Sequence, residues 1–162
     1  MTDIELHIEC HERFAYNEEN GKLYYKKNNK EFGSKSSNGY LRGKVNSKSY
    51  AIHRLIWLMK FGDFPLLQLD HVNRNRLDNR MSNLREASNA QNNINKPPKG
   101  KFKGVSFEKS RGKFRAYTTK GGKTVHIGRF DCELEAAKAY DKRVREIFGE
   151  FAYLNFPELL EN

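Results

Sequence analysis

Between Leu67 and Asn95 the chain reads LQLDHVNRNRLDNRMSNLREASNAQNNIN, and three side chains in it suit phosphodiester cleavage. Asp70 and the amide oxygen of Asn92 are hard oxygen donors, matched to Mg²⁺ or Mn²⁺ rather than to zinc. Two protein ligands leave positions for water and a phosphate oxygen, as substrate-binding Mg²⁺ centres usually do. His71, beside Asp70, has an ordinary pKa of roughly 6.5, so its neutral form can take a proton from water near neutral pH. The cation would stabilise the charge that develops on the phosphorane and on the departing oxygen.

These groups need a strand, a loop, a second strand and a helix to hold them. Leu67, Leu69 and Val72 alternate in a short apolar run that carries Asp70 and His71. A polar hairpin follows, then Asn83-Leu84. Ser88 with Gln91 three residues on is a capping-box pattern, which starts a helix near Asn89 and delivers Asn92. Upstream, Ile52 to Phe61 reads as a helix with Leu55, Ile56, Leu58 and Met59 on its apolar face, ended by Gly62 and Pro65. His53 at its start reads as a packing or supporting group. From Phe14 onward the pattern is one of short strands, with turns at Asn20-Gly21 and Asn38-Gly39. Val45 to Ile52 reads as a further strand, with residues 46–49 near a turn. Lysines and Arg42 on these hairpins would serve DNA phosphates or guard strand edges. Residues 1–12 carry no clear pattern and are expected to form a short strand or a loosely held tail. Cys10-His11 alone makes no metal site.

Asp70-His71, Asn83-Leu84 and Asn92, with the DNR and NLR tripeptides around them, resemble the HNH family of ββα-metal nucleases in its H-N-N variant, common among homing endonucleases of phages and introns. The likeness spans Phe14 to Asn95, and IHRLIW matches the helix that commonly precedes the nuclease core. The resemblance implies that Asp70 and Asn92 hold the metal, that His71 is the general base, and that Asn83 braces the hairpin loop and orients His71. It also implies products with 5′-phosphate and 3′-hydroxyl ends. The zinc-binding CxxC pairs that many of these proteins carry are missing here.

The 162 residues suffice for one large domain or two small ones. A net charge of +10 points to a polyanion, most simply nucleic acid. That charge is concentrated: residues 97–130 hold ten Lys or Arg against the single acid Glu108, whereas 131–162 hold four bases and eight acids. Cys10 and Cys132 are far apart, which suits a reducing cytosol and no disulfide framework. The acidic start MTDIELHIECHE is neither a signal peptide nor a membrane span. Cytoplasmic residence, without membrane or organic cofactor, is the expectation.

After Asn95, Pro97-Pro98 stops the helix and favours a stiff connection. The organisation expected is a nuclease domain over 1–96, a linker over 97–103 and a second domain over 104–162. Strands are expected at about Gly104–Phe107, Lys113–Thr119 and Lys123–Gly128, and a helix at Glu133–Phe148 that packs through Leu134, Ala137, Tyr140 or Asp141, Val144 and Phe148. With the helix on one face, the other presents Ser106, Lys109, Arg111, Lys113, Arg115, Tyr117, Thr119 and His126 to DNA. KGVSFEKSRGKFRAY, HIGRFD, EAAKAYD and LNFP resemble the plant ethylene-response-factor (Apetala-type) DNA-binding domain, a three-stranded sheet packed on a helix. The departures fall on the reading face, so the fold is implied and the plant target site is not.

The expected fold class is therefore α+β: a ββα-metal nuclease with preceding hairpins and a helix, then a three-stranded antiparallel sheet on one helix. The expected activity is a site-targeted, homing-type endonuclease that cuts double-stranded DNA with one Mg²⁺ or Mn²⁺, as a monomer or weak dimer. A monomer with one site would nick one strand. The main rival is a DNA-binding regulator that keeps an HNH shell without catalysis.

Overall fold

The computed structural model describes residues Thr2 to Leu160, the side chain of Leu160 excepted. It divides into two compact units, Met1–Ser88 and Asn89–Asn162. Each is mixed α and β with small antiparallel sheets, as the α+β reading expects.

The first unit opens with a helix where a tail or strand was expected. α1 (Asp3–Arg13) starts on a capping box, in which the Thr2 hydroxyl accepts from Glu5 N and Glu5 reaches back to Thr2 N. Leu6 and Cys10, one turn apart, are buried, and Phe14 continues that stripe into the core. Then come β1 (Phe14–Asn17), β2 (Lys22–Tyr25), β3 (Glu31–Phe32), β4 (Ser34–Lys35), β5 (Leu41–Val45) and β6 (Lys48–Ala51). They form two three-stranded sheets, β1-β2-β3 and β4-β5-β6. The turn expected near residues 46–49 falls at Asn46 and Ser47, at φ 47° and 64° as a two-residue hairpin loop requires, so the strand expected over 45–52 is divided between β5 and β6.

Ile52 then opens α2 (Ile52–Phe61), whose span and apolar face are as expected. Leu55, Ile56, Leu58 and Met59 are buried with Leu6, Phe14, Leu23, Phe32 and Val45 in one core. At the far end of α2, His7 Nδ1 lies 2.8 Å from Leu58 O and His11 Nε2 2.9 Å from Met59 O. Two imidazoles of α1 thus bond carbonyls in the last turn of α2, Met59 O and Leu58 O, the latter also accepting from Gly62 N. β7 (Gln68–His71) and β8 (Leu84–Ala87) pair antiparallel, His71 opposite Leu84 and Asp70 opposite Arg85. In β7 the expected alternation holds only at Leu69; Leu67 and Val72 are exposed, and the polar pair Asp70 and His71 is buried instead.

The second unit begins with α3 (Asn89–Asn95), as the capping pattern expected. Its last turn is held by Lys103, whose ammonium donates to the carbonyls of Asn93, Ile94 and Lys96. β9 (Val105–Glu108), β10 (Lys113–Lys120) and β11 (Lys123–Phe130) form a sheet in the order β11-β10-β9, packed on α4 (Glu133–Phe148). Ala136, Tyr140 and Val144 meet Ala116 in the core, with Val105, Phe114, Ile127 and Phe130 against them. Leu134, expected on the packing side, is exposed; the stripe runs instead through Ala136, Ala137, Tyr140, Asp141 and Val144. Gly104, at φ +70°, lies so close to Tyr140 that a Cβ there would come within 2.1 Å of its ring. The chain end is tied down by Asp141, which accepts from Asn155 N and Phe156 N at 2.8 and 2.7 Å. Among the described residues no helix is long and apolar enough to cross a membrane.

Candidate nuclease site and nucleic-acid face

β7 presents His71 to the interior of the first unit, 4 % exposed. Its ring meets His53 of α2 edge-on at 5.2 Å between centroids, and Tyr40 at 5.8 Å. Arg76 lies over the other partner of this cluster, Tyr40, and donates to Asn38 O at 2.7 Å. Burial pushes the His71 imidazole below its ordinary value, against the opposing influence of Asn79 and Asp70. Burial pushes His53 further, to about 3, helped by the neighbouring His71. Both rings are therefore neutral near pH 7. His53 packs, as the sequence reading favoured.

His71 Nε2 is 3.0 Å from Asn79 Oδ1. A carbonyl oxygen only accepts, so Nε2 carries the hydrogen and Nδ1 keeps the lone pair. The resemblance pointed to Asn83 for orienting this ring, but the amide that meets it is Asn79. Asn83 braces the loop: its Oδ1 accepts from Asn73 N at 2.8 Å and its Nδ2 donates to Asp78 O at 2.7 Å. Asp78 is gripped by Arg80 through two contacts of 2.7 and 2.6 Å, which holds its carboxyl down at about 2.

Asp70, 8 % exposed, pairs with Arg85 across the hairpin. Arg85 Nε and Nη2 both donate to Oδ2, at 3.1 and 3.0 Å. Asn92, the second oxygen donor of the sequence reading, lies on α3 and belongs to the second unit. Among the described residues no group of three or more His, Cys, Asp or Glu could hold a metal ion, so a closed, zinc-type cage is not built.

In the second unit the sheet face away from α4 is polar. Across it Arg115 stands opposite Ser106 on one side and Arg129 on the other, and Tyr117 opposite His126. A β-bulge at Ala116/Tyr117 lets Ile127 turn into the core while His126 stays on the outer face. Arg115 covers the Tyr117 ring at 5.0 Å. Ser106, Thr119 and His126 are exposed, while Lys109 and Arg111 sit in the turn that joins β9 to β10. Glu108 and Arg129 also lie on this face and were not among the contact residues expected from sequence. Glu108 stands opposite Lys113 and pairs with Arg111 at 3.3 Å and with Arg129 at 2.6 Å. Lys113 itself pairs with Asp131.

Residues 50–94 match the HNH endonuclease family, and residues 100–150 match the AP2 domain. The chain carries an HNH endonuclease domain. An AP2 domain follows it. The uncharacterized HNH endonuclease L560 of Acanthamoeba polyphaga mimivirus is 38% identical over 106 residues, which are 64% of this chain and 56% of that one. A solved structure described as "DNA binding and cleavage by the HNH homing endonuclease I-HmuI" is 25% identical over 47% of each chain, with a TM-score of 0.38. The chain thus spans about half the length of the relatives it matches.

The HNH match begins at Tyr50, near the end of β6, so α1 and β1 to β5 lie outside it. The residues that sequence reading missed in the HNH domain, Asn79 and Arg85, sit in the DNR and NLR tripeptides that drew attention only as motif. Hairpin register was the usable signal for Arg85: with Leu84 opposite His71, position 85 falls opposite Asp70. Nothing in the spacing distinguishes Asn79 from Asn73 or Asn75.

Proposed function

We propose that the protein is a site-targeted DNA endonuclease of the homing type, in which the HNH domain hydrolyses a phosphodiester bond and the AP2 sheet holds the DNA. The observation that carries this reading is His71: buried, neutral, and hydrogen-bonded through Nε2 to Asn79 Oδ1, the tautomer that carries its lone pair on Nδ1. In this reading Nδ1 takes the proton of a water molecule as its oxygen attacks phosphorus, and the 3′-oxygen leaves. Asn83 keeps the loop around His71 in shape.

In this reading Asp70 and Asn92 would each offer an oxygen to the metal, a donor type that suits Mg²⁺ or Mn²⁺, with water and phosphate completing the shell. When bound, that ion supplies charge stabilisation at the reacting phosphate. On the DNA side, Arg115, Arg111, Lys113 and Lys109 offer phosphate contacts, and Ser106, Tyr117, Thr119 and His126 offer groups that can read base edges. The partner is double-stranded DNA and the setting the cytoplasm of a host cell.

The test is cleavage of phage-genome and host-genome fragments with Mg²⁺ or Mn²⁺, beside His71→Ala and beside EDTA. Discrete cuts are expected, lost in both controls, while His71→Ala still retards the same fragments on a gel. Tight binding without cuts in either metal would instead make the protein a DNA-binding regulator, with Asp70 and Asn92 as scaffold.

A further inference from the structure

We infer that the AP2 part of the chain is the platform for the helix that carries Asn92. Lys103 grips the last turn of α3, its own anchors lie in the AP2 core, and through them Lys103 is a positioning residue for Asn92. The inference rests on the reading of Asn92 as a metal ligand, and it gives the AP2 part a role in cleavage besides holding DNA.

By family likeness α3 belongs to the nuclease, because the HNH match over residues 50–94 takes in all of it but Asn95. By packing it belongs to the second unit, which begins at Asn89. A helix of seven residues is too short to hold itself in water. It has no acid in its first turn and no base in its last, so nothing within it answers its dipole. The missing charge comes from beyond the two prolines, from a residue of the AP2 match. Lys103 directs its ammonium, which has three donors, at the carbonyls of Asn93, Ile94 and Lys96. These lie at the helix end, where carbonyls lack partners within the helix. Tyr153, past the end of the AP2 match, adds a second hold: its N–H donates to Ile94 O at 3.3 Å, and its ring lies 5.4 Å from the Lys103 ammonium. Ile94 and Asn95 are buried as a result.

Lys103 is itself fixed. Its N–H donates to Asn155 Oδ1 at 2.8 Å, and its carbonyl accepts from Asn155 Nδ2 at 3.2 Å. Asn155 in turn donates to Asp141 Oδ1 through its backbone N at 2.8 Å and through Nδ2 at 3.0 Å. Asp141 is a buried residue of α4, beside Tyr140, on whose ring Gly104 rests directly after Lys103. Contacts therefore run unbroken from the core of the AP2 unit, through Asn155 and Lys103, to the carbonyls of α3. Asn92 lies one residue before the first carbonyl that Lys103 grips. Without that grip the short helix frays from its C-terminal end, and the Asn92 oxygen is no longer held. Groups that hold a metal ligand in place govern affinity for the metal almost as strongly as the ligand does.

The test uses the full chain as wild type, Lys103→Met and Lys103→Arg, with amide hydrogen exchange read by mass spectrometry on peptides from α3, β10 and α4. Lys103→Met removes the charge and the donors but keeps an unbranched side chain. It is expected to speed exchange across residues 89–96 about tenfold, with β10 and α4 exchanging as in the wild type. The Mn²⁺ concentration that gives half-maximal cleavage is expected to rise about tenfold in the same variant, while its affinity for DNA in EDTA stays that of the wild type. Lys103→Arg keeps charge and donors and is expected to restore most of both properties. Unchanged exchange over 89–96 in Lys103→Met would overturn the anchor. Faster exchange spread equally over β10 and α4 would overturn it too, by making Lys103 a support of the AP2 core in general. Local loosening with an unaltered Mn²⁺ requirement would overturn the link to Asn92. A wild type that cuts no DNA with either metal would remove the nuclease reading and the role of Asn92 with it; exchange, read without DNA or metal, tells that failure apart from failure of the anchor.

Discussion

His53 and His71 stand edge to edge in a part of the first unit that excludes water, and that placement makes the fold sensitive to acid. In the unfolded chain each imidazole takes a proton as pH falls through about 6.5, whereas folded His53 resists until about 3. The unfolded state therefore binds more protons between these values. Stability is complete above the unfolded value and drains as pH falls toward the folded one, by about 2 kcal/mol at pH 5 for His53 alone. His53→Phe, which keeps a ring beside Tyr40 and His71, is expected to lose less melting temperature between pH 7 and pH 5 than the wild type; equal losses would mean that His53 is charged in the fold. Asp70, His71 and Asn83 could be found from sequence because their chemistry and spacing form one local motif. Asn79 could not, because its contact with His71 Nε2 exists only once the loop has folded back on the strand.

At the scale of elements, α1 shows what a pattern search overlooks. Its helical stripe is two buried residues, Leu6 and Cys10, too few to stand out against polar neighbours. Thr2 with Glu5 was the available start signal. What fixes the helix in place is a pair of histidines, His7 and His11, aimed at α2 carbonyls some fifty residues away in sequence, as their separations of 51 and 48 show. Each His→Ala change is expected to cost about 1 kcal/mol, which for a unit of this size lowers the melting temperature by roughly 4–8 °C. Unchanged melting in both variants would mean that water caps α2 equally well. The elements with strong local signals were all legible: α2 and α4 to the residue, α3 at its start, and the three strands of the AP2 sheet to within a few residues. Over 45–52 the turn expected near 46–49 was legible, but its position at Asn46-Ser47 makes the run the second half of a hairpin rather than one strand.

For the whole molecule, +10 overstates what reaches DNA. The basic stretch over 97–130 is partly neutralised by its own carboxylates: Glu108 engages Arg111 and Arg129, and Asp131 engages Lys113. Binding affinity is therefore expected to fall with salt less steeply than ten phosphate contacts would dictate, with a log–log slope of about −4 to −6 rather than about −9. Glu108→Gln should steepen that slope and raise affinity for any sequence alike, while a slope near −9 in the wild type would mean that these pairs open on DNA. Acids on a basic face keep its grip short of indiscriminate, as the proposed search for one site among many would require. A last consequence lies in Arg85. The carboxylate proposed to receive a metal ion already faces a guanidinium of its own chain, so stripping the metal does not strand a buried negative charge. Zinc-built domains unfold when chelated. This one is expected to stay folded in EDTA, its melting temperature within about 2 °C of the Mg²⁺ form, idle but intact until a cation and a substrate arrive together.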